Sequence, residues 1–125
     1  MHVDQVVPVF RIFDVAKAKE FYVDFLGFTV DWEHTFDAVA PLYMQVSRAG
    51  CVLHLSEHYG DACPGSTITV RMTGLIDYHR ELSDKKYGYY RPGIERMPWN
   101  FDQMVVIDPF GNRIRFGEEV VEGEG

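Results

Sequence analysis

The sequence predicts an α+β fold made of two β-α-β-β-β modules in one chain. Three observations carry this. The 125 residues, 46% hydrophobic and 25% charged, suffice for one ordinary core and are too few for two comfortable domains. Strand-like and helix-like patterns follow one another in the same order twice. The apolar alternation of Leu53 and Leu55 also repeats in Ile114 and Phe116 at a period of two.

The first module spans about residues 5–57. Residues 5–11 are β-rich and end where Asp14 can cap a helix by accepting from its orphan N–H groups. Val15, Ala18, Phe21, Tyr22, Phe25 and Leu26 then recur on one helical face, and Gly27 stands where a left-handed residue ends such a segment. Residues 28–33, 42–48 and 51–57 read as strands, the last two joined by a tight Ala49-Gly50 turn. The second module spans about 66–118. Its elements are a strand at 67–72, a helix at 75–86 with Leu75, Tyr78, His79 and Leu82 on one face, a short strand at 87–90, and strands at 104–108 and 112–116. Asp108-Pro109-Phe110-Gly111-Asn112 joins the last two with good turn chemistry. Residues 119–125 read as an acidic tail, and the whole stretch from Glu118 onward as a solvated, frayed end.

Nineteen acidic against twelve basic residues give a formal charge of −7. That balance opposes nucleic-acid binding, which depends on Lys and Arg neutralising phosphates, and suits a cationic small molecule better. No apolar run is long enough to span a bilayer and the first residues do not form an export signal, so a cytoplasmic protein is expected. Cys51 and Cys63 lack C-x-x-C spacing and are expected as reduced thiols. No Ser-His-Asp or Cys-His arrangement is defensible from spacing. His58 reads as a surface side chain, and His2, His34 and His79 carry no pattern.

The paired modules, Asp14-Val15-x-x-Ala18-x-x-Phe21-Tyr22 running into Leu26-Gly27-Phe28, and the closing Asp108-Pro109-Phe110-Gly111-Asn112 resemble the vicinal oxygen chelate superfamily. This is the group of glyoxalase I, bleomycin-resistance proteins, ring-cleaving dioxygenases and fosfomycin-resistance enzymes. The resemblance runs from about Val6 to Glu118. It implies a mixed sheet curled into a cup, helices outside, around a ligand cavity that in the enzymes holds a divalent metal. The family's ligand positions fall here at Val7, His54, Thr67 and Arg115. Valine has no donor atom, the neighbours of Thr67 (Ser66 and Ile68) do not help, and arginine would repel a dication. No metal and no cofactor are therefore expected.

Among branches without metal ligands, the chain is similar to the bleomycin-resistance proteins at Val7-Pro8-Val9, at Gly27-Phe28-x-x-Asp31-Trp32 and at Pro98-Trp99, and departs from them at Asn100, where glycine is common. The resemblance implies ligand-binding residues Asp31, Trp32, Phe36, His54, Trp99 and Arg115. Trp32, Phe36 and Trp99 would stack on a flat heteroaromatic group, while Asp31, Glu33 or Asp37 would face a cationic tail. His54 reads as a half-buried strand histidine bonded to a neighbour in preference to a catalytic group, its place on the cup face keeping it a candidate ligand contact; for Trp99 the alternative is a core plug. Pro8 suits an edge strand; by resemblance it implies a homodimer with an exchanged N-terminal strand, the alternative being an unswapped edge. The function expected is stoichiometric sequestration of a bleomycin-like antibiotic, with no catalytic residue. Two alternatives remain: a glyoxalase-like lyase or isomerase with His54 or Glu57 as general base and a recruited metal, and an interaction scaffold without a ligand.

Overall fold

The computed structural model describes residues 1–35, 37–38, 41–88 and 91–121. Two compact units emerge: Met1–Ser66 with Asp108–Asn112, and Thr67–Ile107 with Arg113–Gly125. Each contains a four-stranded mixed sheet, and the two element orders repeat as the sequence predicts.

In the first unit the strands are β1 (Val9–Arg11), β2 (Thr29–Thr35), β3 (Leu42–Arg48) and β4 (Cys51–Ser56), ordered β1-β4-β3-β2. β1 runs parallel to β4 and the other pairs are antiparallel. β1 is shorter than residues 5–11. Proline has no N–H to give the ladder, so the pairing opens with the Pro8 carbonyl accepting from His54 N–H at 3.0 Å. Between β3 and β4, Ala49 (φ 50°) and Gly50 (φ 89°) are both left-handed, as a two-residue hairpin of matching twist requires.

The helix α1 (Val15–Lys19) begins under Asp14, whose Oδ1 accepts from Lys17 N–H at 3.0 Å. A regular helix over 15–26 is expected, but the chain widens into a π-helical turn at Glu20–Phe25, with Leu26 N–H reaching back five residues to the Phe21 carbonyl. Phe21, Tyr22, Phe25 and Leu26 are all fully buried, and Phe21 meets Tyr22 edge-on at 4.9 Å. They cover the sheet face formed by Met44, Val46, Leu53 and Leu55. At about 1.5–3 kcal/mol for each large apolar side chain removed from water, this layer is the main stabilising term of the unit.

The turn Asp108–Asn112 belongs to this unit. Asp108 is buried, and its carboxylate accepts from Tyr22 OH (2.7 Å), Asn112 Nδ2 (2.8 Å) and the N–H groups of Phe110 and Asn112 (both 2.8 Å). Burial raises the Asp108 carboxyl above its ordinary pKa, and these donors partly offset that. Asn112 Nδ2 also donates to the Arg11 carbonyl at 2.8 Å. The turn thus ties residues about a hundred positions apart.

In the second unit β5 (Thr67–Arg71), β6 (Ile94–Met97), β7 (Phe101–Ile107) and β8 (Arg113–Glu119) are ordered β5-β8-β7-β6, with β5 parallel to β8. The strand expected at 87–90 is instead β6. Tyr87 and Gly88 lie outside any strand, and Tyr89 and Tyr90 lie outside the described residues. β6 is placed by the three-residue turn Pro98-Trp99-Asn100, which pairs Met97 with Phe101. Asn100 is left-handed (φ 56°), a conformation asparagine tolerates better than most side chains, so it serves where glycine is common.

The second helix, α2 (Leu75–Asp84), follows Gly74 (φ 82°), which offers no side-chain cap. Glu118 supplies one from β8: its Oε1 accepts from Leu75 N–H at 2.9 Å. Glu118 and Glu119 are therefore strand residues, and residues 122–125 of the expected tail lie outside the described ones. Leu75, Tyr78 and Leu82 pack on Met104, Ile114 and Phe116, with Tyr78 edge-on to Phe116 at 5.2 Å.

Candidate functional site

α1 and the π turn cover only one face of the first sheet. The other carries the intervening positions of β3, Tyr43, Gln45 and Ser47, all half-buried, with His54 of β4 directly across from Gln45. How Trp32 of β2 joins them depends on one irregularity. Thr29 and Val30 pair with Ser47 and Val46, but from Trp32 onward the register slips by one, so that Trp32 faces Gln45 and Glu33 faces Met44. Asp31 is the extra residue of a β-bulge. In a regular strand Trp32 would oppose Met44 on the helix side; the bulge turns it to the helix-free face.

There the Trp32 indole lies parallel to Tyr43 (centroids 5.9 Å apart, 10° between planes) and edge-on to His54 at 5.3 Å. It keeps 42% of its surface exposed. A polar chain runs beneath it. Tyr43 Oη and His54 Nδ1 are 2.7 Å apart, His54 Nε2 and Gln45 Oε1 3.0 Å, and Gln45 Nε2 and Asp31 Oδ2 3.0 Å. An ionised carboxylate only accepts, so the Gln45 amide nitrogen donates to Asp31 and its oxygen turns to His54. His54 Nε2 therefore donates, and its Nδ1 accepts from the Tyr43 hydroxyl. With His54 neutral, each of these three links joins a donor to an acceptor.

Protonation tendencies agree with this order. Burial pushes the His54 imidazole below its ordinary pKa. Hydrogen bonds from Gln45 and Ser47 hold the exposed Asp31 carboxyl below its own. Burial, and then the charge of Asp61, raises the Tyr43 phenol. The face thus presents a flat aromatic surface with the Asp31 carboxylate at its edge.

His54 is half-buried, bonded to Tyr43 and Gln45, and lies on the helix-free face. Glu33, by contrast, is turned to the helix side, where it pairs with Lys19 of α1 at 2.5 Å. Asp37 is exposed, and Phe36 lies outside the described residues. Trp99 and Arg115 belong to the second unit. Trp99, 64% exposed on its turn, is not a core plug. Arg115 is exposed on the helix-free face of β8, between Thr69 and Val105. Tyr43 and Gln45 escape the sequence reading. Their signal is the alternation of 43, 45 and 47 against buried 42, 44 and 46.

These residues do not fit the metal of the related enzymes. Both ring nitrogens of His54 are engaged, Val7, Thr67 and Arg115 cannot replace the missing ligands, and among the described residues no group of three His, Cys, Asp or Glu is placed to hold an ion. Glu57 is committed as well, its Oε1 accepting from Leu42 N–H at 3.0 Å. Both cysteines are free thiols, and no helix among the described residues is long and apolar enough to cross a membrane.

A family model described as a glyoxalase superfamily protein matches residues 1–124. Among solved structures, the bleomycin-binding protein of bleomycin-producing Streptomyces verticillus, complexed with copper(II)-bleomycin, is 25% identical; the match covers 98% of this chain and 99% of that one, with a TM-score of 0.69. TnmS3, an antibiotic-binding protein from Streptomyces sp. CB03234, is 23% identical over 95% and 98% of the two chains (TM-score 0.72). The bleomycin resistance determinant encoded on the transposon Tn5 is 20% identical over 95% and 100% (TM-score 0.72). No curated protein matches the chain. What these structures share with it is the fold.

Proposed function

We propose, for a chain that belongs to the glyoxalase superfamily, that it binds a flat, cationic aromatic small molecule of the bleomycin type stoichiometrically and leaves it unchanged. The observation that carries this reading is Trp32: a half-exposed indole, turned outward by a bulge and held by Tyr43 and His54, beside the Asp31 carboxylate. A face already ordered in this way binds a planar ring at little entropic cost. A stacked pair adds about 0.5–1.5 kcal/mol beyond its buried area, and a cation over the ring a comparable amount.

Trp99 offers a second exposed indole, and we assign it, with Arg115 and Phe36, to ligand contact on the resemblance described above. The antibiotic-binding character of the similar structures supports the ligand class. Catalysis is the weaker reading, because His54 and Glu57, the two candidate bases, already hold neighbours in place. We further propose a homodimer with exchanged N-terminal segments, supported by exposed Val3 and Val6 ahead of a strand that starts only at Val9.

Titration with bleomycin, followed by tryptophan fluorescence and calorimetry, tests the assignment. Trp32→Ala and Trp99→Ala should each weaken binding by a hot-spot amount, about 2 kcal/mol, while each costs less than about 1.5 kcal/mol of stability in urea melts, since neither indole is part of a buried core. Unchanged affinity in the Trp32→Ala variant would remove the stacking role. Turnover of the bound molecule would replace sequestration by catalysis.

A further inference from the structure

The turn after β4, Glu57-His58-Tyr59-Gly60-Asp61, has no role in the binding face described above, yet it is built onto that face. Leu53 and Leu55 point to the helix side, so Ser56 ends β4 on the helix-free side, across from Tyr43 and fully buried. Its Oγ accepts from His58 N–H at 3.0 Å and donates to Asp61 Oδ2 at 2.5 Å. Asp61 N–H donates to the His58 carbonyl at 3.1 Å, and Gly60 N–H to His58 Nδ1 at 3.1 Å. A Cβ at Gly60 would fall 3.2 Å from His58 Cε1, so glycine is what lets the ring sit this close. The Tyr59 ring lies nearly parallel to His58 (centroids 5.0 Å apart, 17° between planes) and stays 82% exposed.

One carboxylate oxygen of Asp61 is therefore held and the other is not. His58 Nδ1 lies 3.8 Å from Oδ1, but it already accepts from Gly60 and carries no hydrogen for the carboxylate. Arg11, which pairs with Ser56 in register, is held over the Phe13 ring at 4.5 Å and makes no ion pair with Asp61. The charge of Asp61 reaches Tyr43 instead: burial, and then this charge, raises the phenol. Tyr43 is also the ring on which Trp32 stacks. The aromatic face thus has a carboxylate at each of two ends, Asp31 tied to Gln45 on the β2 side and Asp61 tied to Ser56 on the β4 side. Two strand spacings across and about two residues along the sheet separate Asp31 from Ser56, about 12 Å in all.

We infer that Asp61 and the Tyr59 ring form a second cation subsite, so that the first unit selects a flat molecule with an amidinium, guanidinium or ammonium group at each end over one with a single charge. This rests on the reading of the Trp32 face as a site for a cationic aromatic. The Asp61 carboxylate is already ordered by a buried hydroxyl, so it gains a charge-assisted hydrogen bond with little further ordering. The open face of Tyr59, in the same turn, attracts the same cation.

The test is titration of the full chain, by calorimetry and fluorescence, with a planar diamidine (diamidino-phenylindole) and with its monoamidine analogue. The diamidine should bind about tenfold more tightly, as one added charge-assisted hydrogen bond implies. Asp61→Asn keeps an oxygen for Ser56 and should bring the two affinities together, with nitrogen-15 spectra showing an unchanged fold. Equal affinities in the parent chain, or a preference that survives Asp61→Asn, overturns the inference, and leaves the Trp32 reading standing where Trp32→Ala still weakens both probes. If Trp32→Ala weakens neither, the aromatic face itself is refuted and the two-ended ligand with it. A preference that falls as far in Asp77→Asn, on α2, reports only the overall charge of −7 and overturns the inference as well.

Discussion

Protonating His54 would oblige the Tyr43 hydroxyl to turn from donor to acceptor, because Nδ1 would then carry a hydrogen while Nε2 still donates to Gln45. With its folded pKa below the ordinary 6.5, the imidazole binds fewer protons in the folded chain than in the unfolded one. Its contribution to stability is therefore fully present above pH 6.5 and is lost as pH falls through the depressed folded value. The indole of Trp32, 5.3 Å away, reports the event. In a Trp99→Phe background, Trp32 emission should titrate with a midpoint below 6.5, and Gln45→Leu should move that midpoint. A midpoint at or above 6.5 would contradict the neutral, donor-ordered chain. Reading residue by residue found His54 and Trp32 from their positions, but not Tyr43 or Gln45, which are ordinary strand residues until register sets them against the histidine.

Among the elements, β2 shows most clearly how one residue sets a face. Its pairs before and after Asp31 differ by one position, so Asp31 is the only residue that the ladder does not need. Deleting Asp31 should leave both sets of pairs intact, keep the Trp32–Tyr43 stacking visible in near-ultraviolet circular dichroism, and cost no more than about 1 kcal/mol, while cation binding weakens. Deleting Glu33 should do the reverse: it removes the partner of Lys19 and moves His34 to the helix side, a register error that a half-buried sheet resists strongly. Equal damage from the two deletions would mean that the bulge does not hold the face. The residues 28–33 are legible as a strand in the sequence, but the bulge is not, because local propensity says nothing of which neighbour a residue meets. The helix at 15–26 shows the same limit. Its inward face is evident from the spacing, whereas the π turn that buries the adjacent Phe21 and Tyr22 together comes from packing on the sheet.

At the scale of the whole molecule, the buried carboxylate of Asp108 joins Tyr22 to the closing turn across 86 positions of sequence. Tyr22→Phe removes a donor from that buried charge and should cost about 1–3 kcal/mol of stability without altering ligand affinity, as denaturant melts and titrations on one preparation would show. Unchanged stability would mean that the tether is redundant. Sedimentation equilibrium should give a dimer at micromolar concentration; a monomer there would remove the exchanged N-terminal segment from the functional reading. What the sequence determined by itself is the class of fold, the repeated element order and the Asp14 cap, since these follow from periodicity and local backbone chemistry. The turn at Asp108–Asn112 was legible for the same reason, from its Pro, Gly and Asn. The tertiary structure alone decided that Trp32 faces outward and that Glu118 caps α2 instead of trailing in solvent. Each of these depends on strand register, and register is set by contacts between residues far apart in the chain, which no local pattern encodes.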